Sequence, residues 1–345
     1  MVVRIGRAVW ATASVLFLVM YLGWQGLLHS PLREELWQLQ LSEVFAVWFY
    51  LPLAPLLLGA LLLRSRTALL ALLAPLCIFG AQYGAQFMPN WQLAFSNLAG
   101  APRLRVMTWN MLYASQLEDE FYPEVTKLQP DVIALQEVPY DIERKMVALL
   151  GHEYPYYQVQ SVGSASGIGI WSKLPFIKTE QANSRLLGCI CLRLTLDLHG
   201  RPITVMTTHV RGPQIHYGFR RGLFPRINYF STADQDLIFG ALLKQVAESQ
   251  RPLILMGDFN TTERQPNFAR LRQQGLTDAY EAAGWGMGFT YPNPNLRYNW
   301  RSRVPPLIRI DHILFSTEWQ AVNTWTGSLP VSDHLYVVTD LVLSE

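Results

Sequence analysis

The distribution of charge along the chain limits its folding options more than any other feature. Three long apolar stretches fall within the first ninety residues. Ala8 to Leu28 and Val44 to Leu63 contain no charged residue, and Ala68 to Phe87 has only Gln82 and Gln86 as strongly polar side chains. Each is close to the roughly 20 residues that a helix needs to cross a bilayer. Over all 345 residues the charged share is 16%, against about 25% in ordinary soluble domains, and the deficit comes largely from this region. Arg4 and Arg7 ahead of the first stretch fit a signal peptide. Two further apolar stretches follow directly, however, without a small-residue cleavage site, so a retained anchor of about three transmembrane helices is expected over residues 1–88. Pro52 and Pro55 inside the second stretch are better tolerated in a membrane than in a soluble helix.

Basic residues orient such a bundle. Arg4 and Arg7 precede the first span, and Arg64 and Arg66 fill the loop between the second and third. Three crossings would place the N-terminus inside and everything beyond residue 88 on the extracytoplasmic side; two would return it to the cytoplasm. Residues 89–103, in a stretch containing Pro, Asn and Gly, read as a linker.

From residue 104 to 345 the pattern changes to short β-rich runs separated by turns. Leu104–Thr108, Asp131–Gln136, Gly167–Ser172, Cys189–Leu196, Ile203–Thr208, Leu253–Met256, Arg309–Phe315 and Val337–Leu343 read as strands. Tyr122–Leu128, Asp141–Leu150 and Ala233–Glu248 read as helices. Strands mixed with helices predict an α/β class domain, two packed sheets flanked by helices. The net charge of +2 carries no global bias towards polyanions. Cys77, Cys189 and Cys191 are expected to form neither a disulfide framework nor a zinc site, since Cys189 and Cys191 lie two apart on one strand.

Several strands run into polar residues that a plain core would not need. Leu104–Thr108 leads to Asn110, Asp131–Gln136 to Glu137, Ile203–Thr208 to His209, and Leu253–Met256 to Gly257-Asp258-Phe259-Asn260. Asp311 and His312 lie in the next-to-last strand, and Ser332-Asp333-His334 precedes the last. Taken singly, Asn110 and Asn260 are ordinary turn residues, Glu137 a solvated strand end and His209 a rim histidine. Together, carboxylates, amides and imidazoles at strand ends can converge on one rim, and oxygen donors of this kind suit Mg²⁺ or Mn²⁺. Phosphodiester cleavage needs such parts: a cation or imidazolium against the phosphoryl charge and a base for the attacking water.

The ordered set TWN, LQE, THV, GDFN, RIDHIL and SDH resembles the endonuclease/exonuclease/phosphatase (DNase I-like) superfamily over the whole second domain. The resemblance implies a four-layer α/β/β/α sandwich and a divalent-metal-dependent hydrolase. It implies Glu137, Asn110 and Asp333 at the metal, and Asp258, Asn260, His209, His334 and its partner Asp311 in catalysis. Two departures touch the pocket: Met111-Leu112-Tyr113 follows Asn110, and Tyr336 stands two after His334, where the family often has Gly-bearing and Pro positions. His312 and His216 have no role that the resemblance supplies.

Substrate choice in this fold lies in loops. Arg211, Arg220 and Arg221, interleaved with aromatics up to Tyr229, and Trp300 among Arg297, Arg301 and Arg303 are the candidate substrate-binding groups. They suit phosphate gripping and base stacking, and equally an anionic lipid interface or a solvated loop. An anchored site meets lipid head groups at high effective concentration, which favours a lipid-linked phosphodiester slightly over nucleic acid. The other readings are an extracytoplasmic nuclease, a non-catalytic membrane protein binding phosphorylated ligands, and a chain whose anchor is the working part. The intact acidic and histidine set argues against the non-catalytic one.

Overall fold

Alternation along the strands builds the larger of the two units. The computed structural model describes residues 1–88, 100–112, 117–138, 140–160, 167–184, 189–219, 225–297 and 304–344. Its strands are β1 (Arg103–Asn110), β2 (Val132–Gln136), β3 (Tyr156–Gln160), β4 (Ile168–Ser172), β5 (Phe176–Ser184), β6 (Cys189–Leu198) and β7 (Arg201–His209). They continue with β8 (Gln214–Phe219), β9 (Pro225–Ser231), β10 (Leu253–Asp258), β11 (Leu276–Asp278), β12 (Asp311–Ser316), β13 (Trp319–Gly327) and β14 (Tyr336–Leu343). One six-stranded sheet has the order β13-β14-β1-β2-β4-β3 and the other β11-β12-β10-β7-β6-β5. Both are mixed: β1 pairs with β2 and β7 with β10 in parallel, and the remaining pairings within the two sheets are antiparallel.

Successive side chains on a strand point to opposite faces, and this divides the apolar residues into three cores. Leu104, Val106, Val132, Ala134, Val205, Ile254, Met256 and Ile313 fill the space between the sheets. Met107, Trp109, Ile133 and Leu135 face outward and pack with Phe121, Val125, Met146 and Leu150 of the helices Leu117–Leu128 and Tyr140–Leu150. Leu253, Leu255 and Met206 face outward from the second sheet onto Ile238, Phe239, Leu242 and Phe268 of the helices Ala233–Ala247 and Pro266–Gln273. The result is the four-layer α/β/β/α sandwich. β3, β5, β11 and β13, which strand periodicity alone does not announce, lie at or next to sheet edges where half-polar sequences suffice.

Grouping by contacts gives two units, residues 88–213 with 233–345 and residues 1–87 with 214–232. The domain expected over residues 104–345 includes the hairpin of β8 and β9, which groups by contacts with the N-terminal helices. The expected linker 89–103 lies outside the described residues up to residue 99.

In the N-terminal unit, Val3–Leu28 and Arg66–Phe87 are long and apolar enough to cross a membrane. The middle stretch departs from a single straight span. It is a pair, Trp37–Val44 and Ala46–Leu62, bent by 81°. A 3-10 turn over Ala46–Tyr50 precedes the helix Leu53–Leu62, which starts at the Pro52 cap and carries Pro55 in its first turn, where a missing N–H costs nothing. Gly59 lets the first helix approach: a Cβ there would lie 2.1 Å from the Trp10 ring. Gln82 is satisfied internally, accepting from the Tyr50 hydroxyl at 3.0 Å, while Tyr50 also bonds the Tyr21 hydroxyl. Arg33 grips buried Glu43 through two hydrogen bonds of 2.9 and 2.7 Å.

Candidate active site

The pleat that sorts the cores also assembles the site. On β1, Leu104 and Val106 face the inter-sheet core, so Thr108 and Asn110 face the same way. By the same parity Gln136 on β2, His209 on β7, Asp258 on β10 and Asp311 on β12 are the inward residues at one end of their strands. Register then sets them side by side. Asp258 lies opposite His209 across the parallel β7–β10 pair and opposite Asp311 across the antiparallel β10–β12 pair. Asn110 lies opposite Gln136, and Glu137 is the next residue.

Asp258 is the hub. Asn110 Nδ2 donates to its Oδ2 at 3.0 Å and to Glu137 Oε1 at 3.1 Å, joining the two sheets. The Asn110 Oδ1 accepts from the Leu112 backbone N–H at 3.1 Å, which fixes the amide with its N–H₂ towards the carboxylates. Asn260 donates to Asp258 through its backbone N–H (2.8 Å) and its amide (3.2 Å), and also to the Val210 carbonyl at 2.9 Å. His209 Nε2 is 3.6 Å from Asp258 Oδ2 and 3.9 Å from Glu137 Oε1. His334 Nδ1 donates to Asp311 Oδ2 at 2.9 Å, leaving its Nε2 at 3.9 Å from Asp258 and 4.0 Å from Asp333.

Backbone strain marks the same place. Glu137 and Asn260 hold φ values of 58° and 48°, sparsely populated for non-glycine residues and typical of functional constraint. Gly257 has φ 146°, and a Cβ there would sit 2.0 Å from the Thr208 carbonyl oxygen. Only glycine permits that approach, and it lets the following Asp258 sit beside His209.

Burial sets the charge states. It pushes the Asp258 carboxyl up to about 7, with the neighbouring Asp311 carboxylate adding to the rise and His334 and Asn110 opposing it. It also raises Glu137, against the Asn110 hydrogen bond, and lowers His209, against the pull of Glu137. For His334 burial disfavours the cation, but Asp311 and Asp258 outweigh it and raise the imidazolium to about 10.

A divalent cation, implied by the family resemblance, fits this donor set. Glu137 Oε2 and Asp311 Oδ1 are buried without a hydrogen-bond partner, a costly condition that a cation relieves. Donor atoms of Asp258, Asp311 and His334 lie within 4.8 Å of one another. His334 is a poor ligand, since its Nδ1 is taken by Asp311 and the ring is held cationic. Glu137, whose Oε1 accepts from the same Asn110 amide as Asp258, suits the cation better.

Supporting residues outside the expected set hold these groups. Ser332 Oγ donates to the Asn110 carbonyl at 2.6 Å and accepts from the His334 N–H at 3.0 Å, which gives the serine before Asp333 its purpose. Asn293 donates to the Leu329 and Ser332 carbonyls, both at 2.8 Å, and Thr290 Oγ1 accepts from the Asp311 N–H at 3.2 Å. The Tyr291 ring lies 5.0 Å from that of His334. Deeper between the sheets, Gln136 donates to Thr108 at 3.0 Å and Thr207 at 3.1 Å. Sequence alone gives Thr290, Tyr291 and Asn293 no part in this network, because their work depends on a loop folding back. His312, opposite in parity to Asp311, faces the outer layer, bonding Asp278 at 2.8 Å and the Thr261 carbonyl at 3.0 Å.

Of the candidate substrate groups, Arg211 is exposed. Its carbonyl accepts from Gln235 at 3.1 Å, and the adjoining Gly212 sits where a Cβ would meet Asn260 Oδ1 at 3.3 Å. Arg220, Arg221 and Trp300 lie outside the described residues.

Known structures share this architecture. An endonuclease/exonuclease/phosphatase from Bacteroides vulgatus is 16% identical, with a TM-score of 0.53 over 70% of this chain and 99% of its own. One from Beutenbergia cavernae is 22% identical, with a TM-score of 0.50 over 70% of this chain and 72% of its own. D. rerio TDP2, in complex with a single-strand DNA product, is 16% identical, with a TM-score of 0.53 over 69% of this chain and 98% of its own. At these identities the likeness is one of fold. No curated protein matches the sequence. The sequence profile of the Endonuclease/Exonuclease/phosphatase family, however, matches residues 107–334, from the middle of β1 to the histidine that pairs with Asp311, and the chain belongs to that family.

Proposed function

We propose that this protein is a membrane-anchored, divalent-metal-dependent phosphodiesterase that cleaves by attack of an activated water, with a lipid head group as the favoured substrate. The observation that carries the reading is the convergence on Asp258: Asn110, Asn260, His209 and His334 all approach one buried carboxylate whose pKa lies near neutrality. A base titrating near the working pH is suited to take a proton from water. Asn110 and Asn260 fix its oxygens, so the proton-accepting edge is aimed before substrate arrives. His334, kept cationic by Asp311, presents Nε2 as a donor to a phosphoryl oxygen as charge develops there. His209, neutral near pH 7, is placed to donate to the substrate from the opposite strand. Glu137, Asn110 and Asp333 are the residues that would hold a divalent cation, which when bound would supply neutralisation of phosphoryl charge.

A nuclease is the second reading. It draws on the basic Arg211 loop and on the fold shared with D. rerio TDP2, which is seen with a single-strand DNA product. The lipid reading draws on the apolar helices, which would keep the site at a bilayer. The test is the full-length protein in lipid nanodiscs, assayed with Mg²⁺, Mn²⁺ or EDTA against bis-p-nitrophenyl phosphate, single- and double-stranded DNA, sphingomyelin, phosphoinositides and glycerophospholipids. Cleavage that EDTA and Asp258→Ala both abolish is expected, with a lipid preferred. Preferred cleavage of DNA would select the nuclease, and no cleavage by a protein that binds Mg²⁺ would leave a phospho-ligand-binding protein.

A further inference from the structure

Asn260 holds a left-handed φ of 48°, a conformation that persists in a non-glycine residue only where its surroundings impose it. Its N–H and its side-chain amide are fixed by the hydrogen bonds to Asp258 and to the Val210 carbonyl. Its own carbonyl is held by a residue that lies on neither strand of the site. Gln235 stands in the first turn of the helix Ala233–Ala247 and is 1% exposed. Its Nε2 donates to the Asn260 carbonyl at 2.9 Å and to the Arg211 carbonyl at 3.1 Å. Both partners can only accept, so the amide must turn its two N–H bonds towards them. One side chain thus ties the end of β10, with Asp258 and Asn260, to the end of β7, with His209 and Arg211. Between them the Val210 N–H donates to the Asp258 carbonyl at 2.9 Å. Gly212 follows, where a Cβ would press on Asn260 Oδ1 at 3.3 Å.

Packing alone does not account for an amide at this position. The other buried residues along the helix include Ile238, Phe239 and Leu242, all apolar. Gln235 Oε1 is buried without a hydrogen-bond partner, a cost that an apolar side chain of similar size would not carry. What offsets that cost is the pair of donors, and what they fix is the relative placement of two site segments. We infer that Gln235 is a positioning residue. By holding the Asn260 carbonyl it keeps the Asn260 amide and N–H on Asp258, and by holding the Arg211 carbonyl it sets that candidate substrate group against the same carboxylate. The role rests on the phosphodiesterase reading, in which Asp258 takes the proton from water. It acts through two residues with separable effects: a loosened Asn260 misaims the base and lowers kcat, while a displaced Arg211 weakens substrate binding and raises KM.

The test uses the full chain in lipid nanodiscs with Mg²⁺ and bis-p-nitrophenyl phosphate. Gln235→Met keeps a side chain of similar length and removes both donors. Losing a group that orients a site residue typically costs about 10–100-fold in activity, and kcat/KM should fall by about that factor, through a lower kcat and a higher KM together. Double-mutant cycles separate positioning from support of the fold. In an Asn260→Ala background the fall in kcat caused by Gln235→Met should largely disappear, and in an Arg211→Ala background the rise in KM should do so. Leu242→Ala, which hollows the buried face of the same helix, should lower the melting temperature and leave both constants unchanged. Equal losses from Gln235→Met in every background, or a loss from Leu242→Ala as large as that from Gln235→Met, overturn the positioning role. Unchanged constants in Gln235→Met do so too. If Gln235→Met is unfolded at the assay temperature, Gln235→Glu, which offers at most one donor hydrogen in place of two, carries the same cycles. Wild-type protein that binds Mg²⁺ but does not cleave overturns the phosphodiesterase reading and the role of Gln235 with it. Wild-type cleavage with additive losses overturns the role of Gln235 alone.

Discussion

Asp258 illustrates how one position acquires a function from its neighbours. In water an aspartate loses its proton near pH 4, whereas here burial, and then the adjacent Asp311, raise it to about 7. Such a carboxyl, with Glu137 also raised, must release protons before a cation can settle. Mg²⁺ affinity should therefore increase with pH between about 6 and 8, with proton release detectable by calorimetry in buffers of different ionisation heat. A pH-independent affinity would remove both carboxylates from the cation's surroundings. The Asp311–His334 pair makes a second prediction. Asp311→Asn keeps the shape but withdraws the charge that stabilises the imidazolium, so turnover should drop by about 10³–10⁴-fold, the scale seen for carboxylate loss in such pairs. The circular dichroism spectrum should not change. Near wild-type turnover would exclude Asp311 from the mechanism.

On β12 the two-residue period separates two functions. Asp311 faces the site, while His312 faces outward into a buried ionic cluster with Asp278 and Arg309. Arg309 donates to Asp278 at 2.5 Å and lies 3.5 Å from Glu281. These contacts tie β11, the helix Ala279–Ala283 and β12 together behind the catalytic strand. Replacing Arg309 by Met would leave Asp278 buried without its main counter-charge, a change worth about 3–5 kcal/mol. Its midpoint in urea should decrease accordingly; an unchanged midpoint would mean that the cluster contributes no net stability. Burial alone would raise the Asp278 carboxyl, but Arg309 and His312 outweigh it and hold it well below the usual carboxylate range. A folded value beneath the unfolded one, about 3.9, means that the stabilisation is complete above about pH 4 and is lost as the pH falls through the folded value. Asp278→Asn should lower thermal stability at neutral pH and flatten its decline below about pH 4. A parallel decline in both proteins would contradict this.

The whole chain combines the endonuclease/exonuclease/phosphatase fold with helices able to cross a membrane, and on the anchored reading the number of crossings sets which compartment holds the site. The bend of 81° in the middle pair decides that number: as one broken span it gives three crossings, and as a re-entrant element it gives two. The basic residues Arg4, Arg7, Arg64 and Arg66 favour three. Protease digestion of oriented membrane vesicles should then cleave the catalytic unit from the extracytoplasmic face and protect the N-terminus. Cleavage of both from the same face would establish two crossings.

Much of this was legible in the residues alone. Apolar length announces helices able to cross a membrane, alternating patterns announce strands, and six ordered motifs announce the family and the residues of the candidate site, because each of these signals is local in the chain. The two-residue period even separates Asp311 from His312. What local pattern does not contain is which strands neighbour one another. Only the tertiary structure brings His209, Asp258 and Asp311 into one row, turns the Asn110 amide towards two carboxylates, and recruits Thr290, Tyr291, Asn293 and Ser332 to hold His334. The same holds for the β8–β9 hairpin, which the sequence places within the hydrolase and the fold groups with the helices. The bend at Phe45, between Trp37–Val44 and Ala46–Leu62, belongs there too. Hydropathy counts apolar residues without regard to the direction of the helix that carries them, and that direction depends on what each segment packs against.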